Sequence, residues 1–164
     1  MNWYLLVRFI HILSSIVFVG GILARQAVRM QGKKSTDIHT LAVYFLAAGK
    51  IESLMVIPGN MIVIIFGVIL AIMVRAPIFG FLQGSEQNWL LVTNILLILG
   101  GLNVPLIFLP RGKIFDRLME EALAKNKVTP ELKAHLNDKA VKAAHISEIV
   151  FLIIIVILMV FKPF

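Results

Sequence analysis

HISEIVFLIIIVILMVFKPF, residues 145–164, is the stretch that decides the fold. From Ile149 to Phe161 it runs thirteen residues without a polar side chain. Only lipid suits a helix of that composition, because water would meet apolar side chains on every face. His145 and Glu148 stand three residues apart at its start, on one face of the helix. An imidazole and a carboxylate at that depth need partners, and the rest of the sequence has to supply them.

The other long apolar runs extend the reading to four spans, at about 3–24, 54–74, 89–109 and 141–161. Each is near the roughly 20 residues that cross a hydrocarbon core of about 30 Å. With 59% apolar and 15% charged residues, the 164-residue chain is too apolar for an ordinary soluble domain. The predicted fold is all-α: one transmembrane domain, 1–164, forming a four-helix bundle. Helices follow because lipid offers no partner for backbone N–H and C=O groups. The first run lacks a basic start and an A-x-A-like exit, so it is expected to be a span and not a cleaved signal peptide. Pro58-Gly59 predicts a kink in span two.

Basic residues set the predicted orientation. Five lie between Arg25 and Lys50 and eight between Arg111 and Lys142, against Arg8, Arg75 and Lys162 elsewhere. Thirteen against three puts both basic segments in the cytoplasm and both termini outside, in a multi-pass protein of the cell inner membrane. The net charge of +7 then reflects orientation and anionic lipid; no nucleic-acid partner is expected. Ser35 or Thr36 is expected to cap a helix entering span two, and Gly112–Lys125 to extend span three as a cytoplasmic helix. Thr129-Pro130-Glu131 then restarts a helix leading into span four. His39 and His135 fall in these charged segments and are expected to be solvated.

With no cysteine, disulfides, thiolate metal sites and cysteine nucleophiles are excluded. Phosphate-cradling glycine loops, nucleophile elbows and HExxH are also missing, which sets aside soluble-type hydrolase and nucleotide chemistry. The remaining candidates are intramembrane polar groups, which at 1.5 Å per residue fall into two layers. An outer layer holds Arg8, His11 and Asn94, with His11 about 12 Å below the surface. His11, Ser14, Phe18, Gly21 and Arg25 share one face of span one, which must turn inward. The inner layer is Glu148 with His145, Asn60 and Asn103, extended by Glu52 and Arg25. It reads equally well as a hydrogen-bonded clamp between helices or as a functional network. Depths differing by roughly 13 Å argue against His11 and His145 clamping one haem.

The whole chain resembles a bacterial four-helix integral membrane family, domain of unknown function 2269. FIHILSSIVFVGG in span one, Pro58-Gly59, Trp89-Leu90 opening span three, and the terminal LMVFKP carry that resemblance. More distantly it is similar to HemJ-type protoporphyrinogen oxidases and CopD-type membrane proteins. HemJ-type proteins share an early histidine in span one (here His11), an Asn-Glu before the last apolar run (here Ser147-Glu148) and a terminal Lys-Pro-Phe (here 162–164). The chain departs from them in GGILARQAVRM and LLVTNILLILGGLNVP, which lack their additional lysine and histidine. The resemblance implies the fold and a haem-linked His11.

Two functions follow as expectations. One is a haem- or porphyrin-binding membrane redox protein holding haem b through His11, with Arg8 and Arg25 for the propionates and quinone as an electron partner. The other is a non-enzymatic accessory or assembly subunit, in a homodimer or larger membrane complex, whose buried polar residues only set helix packing. Gly20-Gly21 and Gly100-Gly101 suit close helix approach in either case. Copper or proton transport ranks last, since the seven methionines are scattered and no side chain bridges the two polar layers.

Overall fold

The computed structural model describes residues 2–163, and all regular structure among them is helical. Four helical stretches are long and apolar enough to cross a membrane: Trp3–Gly32, Ile38–Met73, Trp89–Ala124 and Pro130–Phe161. They divide between two compact units, residues 1–32 with 43–78, and residues 33–42 with 79–164.

In the first unit α1 (Trp3–Gly32) packs against a π-helical turn (Glu52–Val56) and α3 (Ile57–Met73), which continue α2 (Ile38–Ile51); the first residues of α2, 38–42, belong to the second unit. Thirty residues make α1 about 45 Å long, well beyond a hydrocarbon core. Pro58 explains the π turn. It has no N–H to give Leu54, and its ring crowds that carbonyl. The helix widens by one residue just before it, so that the Ile57 N–H bonds to Glu52 O instead. This π turn stands where the sequence predicts a kink.

The seam between the two helices is built on small residues. A Cβ at Gly21 would stand 2.9 Å from Met55 Cβ, and one at Gly59 would stand 3.1 Å from the Phe18 backbone. One at Gly67 would meet His11 Cε1 at 3.0 Å, and one at Gly32 would meet Tyr44 Cβ at 2.8 Å. Contacts descend α1 as they climb its partner, so the two run antiparallel. Ser14, Gly21, Arg25 and Gly32, buried along α1, recur at near-heptad spacing.

The second unit repeats the device. Here α4 (Trp89–Asn103) continues through a π turn (Val104–Phe108) into α5 (Leu109–Ala124). The Leu109 N–H bonds to Val104 O, one residue before Pro110, as Ile57 does before Pro58. α6 (Pro130–Leu136) packs on α5, and α7 (Lys139–Phe161) packs on α4. Thr129 caps α6 through the Leu132 N–H at 3.2 Å. As the sequence reading expects, Thr129-Pro130 start a helix, α6, that leads to the last span; between the two the chain breaks at Asn137-Asp138. Asp138 then caps α7, accepting from Ala140 N–H at 2.7 Å.

The cap before span two also differs from expectation. Asp37 accepts the Thr40 N–H at 2.8 Å, while the Ser35 hydroxyl bonds the Asp37 backbone. A carboxylate at that position also favours the positive helix end. At the far end of the unit Lys162 adopts φ +46° and places Nζ 5.2 Å from the centre of the buried Trp89 ring. Phe164, the last residue of the terminal Lys-Pro-Phe, lies outside the described residues.

The seam predicts opposite signs for two glycines. Gly59→Ala presses on backbone, and we expect it to cost about 1–3 kcal/mol. Gly20 has open space around its missing Cβ, so Gly20→Ala should be neutral or stabilising by up to about 1 kcal/mol. Thermal unfolding of both variants in detergent checks this; equal midpoints would contradict the packing of α1 on α3.

Candidate functional site

His11 lies on the α1 seam, half-buried, where Gly67 leaves room for its ring. Its Nδ1 stands 3.0 Å from Val63 O, a contact that requires the ring to donate from Nδ1. Among the described residues this is its one side-chain hydrogen bond, so Nε2 is left as the lone-pair nitrogen. The orientation matches what a ligating histidine needs, one ring nitrogen tied to a backbone carbonyl and the other presented. Arg8, one turn earlier on α1, is exposed. Ser14 and Ser15 hydroxyls both return to backbone carbonyls of their own helix and offer nothing to a ligand.

Arg25 and Glu52 form an ion pair between Nη1 and Oε2, with the Arg25 side chain 6% exposed. Two roles were open for Arg25 in the sequence, a propionate contact and a member of the inner polar network. The structure places it in the second. Glu52 is the first residue of the π turn, so the widened backbone carries the carboxylate that meets α1. Asn60 is half-buried on α3, two residues beyond Pro58.

In the second unit Asn103 and the π turn face α7. Asn103 Nδ2 donates to Ser147 Oγ at 3.1 Å, and the Ser147 hydroxyl donates to Ala144 O. His145 Nδ1 lies 3.4 Å from Glu148 Oε2, and its ring stacks on Phe108 with centroids 4.6 Å apart. Both side chains are largely buried, at 12% and 20% exposure. Of the residues that the sequence reading put in an inner layer, Arg25 meets Glu52 in the first unit, and in the second Asn103 meets Ser147 while His145 meets Glu148. Ser147 was not expected as a partner, although its place on the Ala144 face of α7 was the available signal.

The charged segments hold a third set of contacts. Arg111 Nε bonds Asp138 Oδ2 at 2.9 Å, and His135 Nε2 lies 2.9 Å from Arg111 O. His39 Nε2 meets Asn126 Oδ1 at 2.8 Å. His39 is exposed, as expected of a solvated residue, and His135 is half-buried; each also ties two helical segments together, because the chain reversals bring polar backbone and side chains within reach. Hydrogen bonds from Thr40 hold the Asp37 carboxyl below the usual carboxylate range. No group of three or more His, Cys, Asp or Glu among the described residues could hold a bare metal ion.

The Arg25–Glu52 pair makes an asymmetric prediction. Glu52→Leu takes the carboxylate from a buried guanidinium that cannot shed its charge, and should cost about 1–3 kcal/mol. Arg25→Leu strands a carboxylate that can take up a proton, and should cost less. The double variant should recover most of the larger loss. Unfolding midpoints of the three variants in detergent measure this; additive losses would mean the two side chains do not interact.

The geometry is that of a helical chain whose polar side chains pair within apolar surroundings. No curated protein and no solved structure matches it significantly. A family described as predicted integral membrane protein (DUF2269) matches residues 5–163. With nearly its whole length covered, the chain belongs to that integral membrane family.

Proposed function

We propose that the protein is a haem- or porphyrin-binding redox protein of the inner membrane, with His11 as axial ligand. The observation that supports this is the His11–Val63 contact, which fixes the ring and leaves Nε2 for a metal. When bound, haem supplies one-electron chemistry. The chain's own residues would do the rest: Val63 O and Gly67 hold the imidazole, and Arg8 offers a cation for a propionate from one turn away. Arg25, engaged with Glu52, is not needed for that role. Basic segments in the cytoplasm would put His11 nearer the outer surface, where a lipid-dissolved quinone is the natural electron partner.

A second reading is favoured by the seam itself. Glycines with no room for a Cβ and an ion pair between the same two helices suit a packing and assembly subunit, in a homodimer or a larger complex.

Absorption spectra of detergent-purified protein, expressed with ample haem, separate the two. The redox reading expects a Soret band and a sharp reduced α-band, both lost in His11→Gln. Glutamine can still donate to Val63 O, so this variant should elute and unfold like the parent. A flat spectrum from the parent protein would overturn the haem reading and leave the assembly role.

A further inference from the structure

Just before α4 the second unit carries apolar side chains that the fold leaves uncovered. Phe79, Phe81 and Leu82 are 53%, 64% and 67% exposed, on and beside a 3₁₀ turn at Gly80–Gln83. Phe79 and Leu82 stand three residues apart, which stacks them on one face where the helix has three residues per turn. From 79 to 88 Glu86 is the one charged residue. The backbone beneath these side chains closes on itself. The Phe79 N–H donates to Gln83 Oε1 at 3.1 Å, Leu82 N–H to Phe79 O at 3.1 Å, Gly84 N–H to Phe81 O at 3.0 Å and Ser85 N–H to Gly80 O at 3.3 Å. Gly80 takes φ +53°, and a Cβ there would collide with the Asn88 side chain. Asn88 decides where the turn sits. It is the residue before α4, and its Oδ1 accepts the Phe81 N–H at 2.8 Å while its Nδ2 donates to Glu86 O at 3.1 Å. The turn is thereby held against the entrance of span three, beside Trp89 and the Lys162 ammonium over its ring.

We propose that Phe79, Phe81 and Leu82 insert into the lipid leaflet at that end of span three, where they anchor the connection between spans two and three. Position is the first argument for lipid as the occupant. The Phe81–Asn88 bond ties the turn to the residue at which the span begins, so the turn cannot stand clear of the membrane surface. Composition is the second. Phenylalanine and leucine are what interfacial segments bury, to roughly 5–10 Å into the boundary between headgroups and acyl chains. Trp89 and Lys162 beside the turn are residue types that settle at the same level. The hydrogen bonding is the third argument. Backbone groups bonded within the turn need no water from a layer that holds little of it. In water the same three side chains would form an uncovered apolar patch. The inference rests on the chain lying in a membrane and is independent of His11.

The sequence has no cysteine, so single cysteines carry a fluorescent label cleanly. Phe81→Cys and Leu82→Cys are compared with Glu86→Cys, in the same connection, and Lys125→Cys, exposed at the end of α5. Each variant leaves Gly80, Asn88 and two of the three apolar side chains in place. The full chain is labelled with the dye NBD and reconstituted in phosphatidylcholine vesicles. Two quenchers are used, a nitroxide high on the lipid acyl chain and iodide on both sides of the vesicle. We expect nitroxide quenching at positions 81 and 82 to exceed that at 86 and 125 by about two-fold or more, with iodide showing the reverse order. Iodide reaching 81 and 82 as well as it reaches 125 would mean a solvated turn. Protection from both quenchers would mean that protein covers it, such as a second copy of the chain. Equal nitroxide quenching at all four positions would mean that the dye itself inserts. Each of these three results overturns the proposal.

Discussion

Pro58 and Pro110 each withdraw a backbone N–H from a helix whose surroundings hold little water to replace it. An α-helix in lipid must satisfy its carbonyls internally, so such a proline has to be absorbed by the helix itself. Both helices solve this in the same way, by widening into a π turn that ends two residues before the proline. The extra residue rotates everything on one side of the turn relative to the other. In each case the polar side chain at or beside the turn, Glu52 or Asn103, is the one that reaches the neighbouring helix. The buried polar contacts of both units therefore depend on where the prolines stand.

Small residues are the second condition. A polar pair inside an apolar bundle is worth forming only if the helices come close enough for short bonds and the remaining surface packs without voids. Gly59 and Gly21 bring α1 against its partner between the His11–Val63 and Arg25–Glu52 contacts. Lipid gives no hydrophobic drive toward association, so dispersion at these near contacts and the polar pairs together have to hold the helices. Ser14 shows the economy of the arrangement. Its hydroxyl returns to its own helix, which leaves it a small residue as far as the seam is concerned.

Much of this was legible in the sequence because lipid imposes simple rules. Apolar length alone fixes spans, and the inward face His11–Ser14–Phe18–Gly21–Arg25 follows from helical periodicity and the cost of exposing polar groups to hydrocarbon. Arg25 and Glu52 could be paired by depth. Local competition between caps was less legible. Ser35, Thr36 and Asp37 are all acceptable, and the choice of Asp37 depends on which side chain reaches the Thr40 N–H. The break at Asn137-Asp138 was hidden for a similar reason, since Asp138 is both a cap for α7 and the partner of Arg111, a residue 27 positions earlier. Long-range partners such as Val63 O for His11 or Ser147 for Asn103 carry no composition signal at all. Their positions depend on helix rotation, which the π turns change.

The two buried pairs differ in a way that bears on which could take part in chemistry. Arg25 keeps its charge under any condition met in a cell, so Arg25–Glu52 has one low-energy arrangement, the ion pair. His145–Glu148 instead joins an imidazole to a carboxylate at 3.4 Å, one turn apart on the same helix. A contact with one state is suited to fixing helices. In His145–Glu148 the imidazole ring stacks on Phe108. His11 differs from both. Its protein partner is a backbone carbonyl that cannot titrate, which fixes the ring while leaving the opposite nitrogen uncommitted.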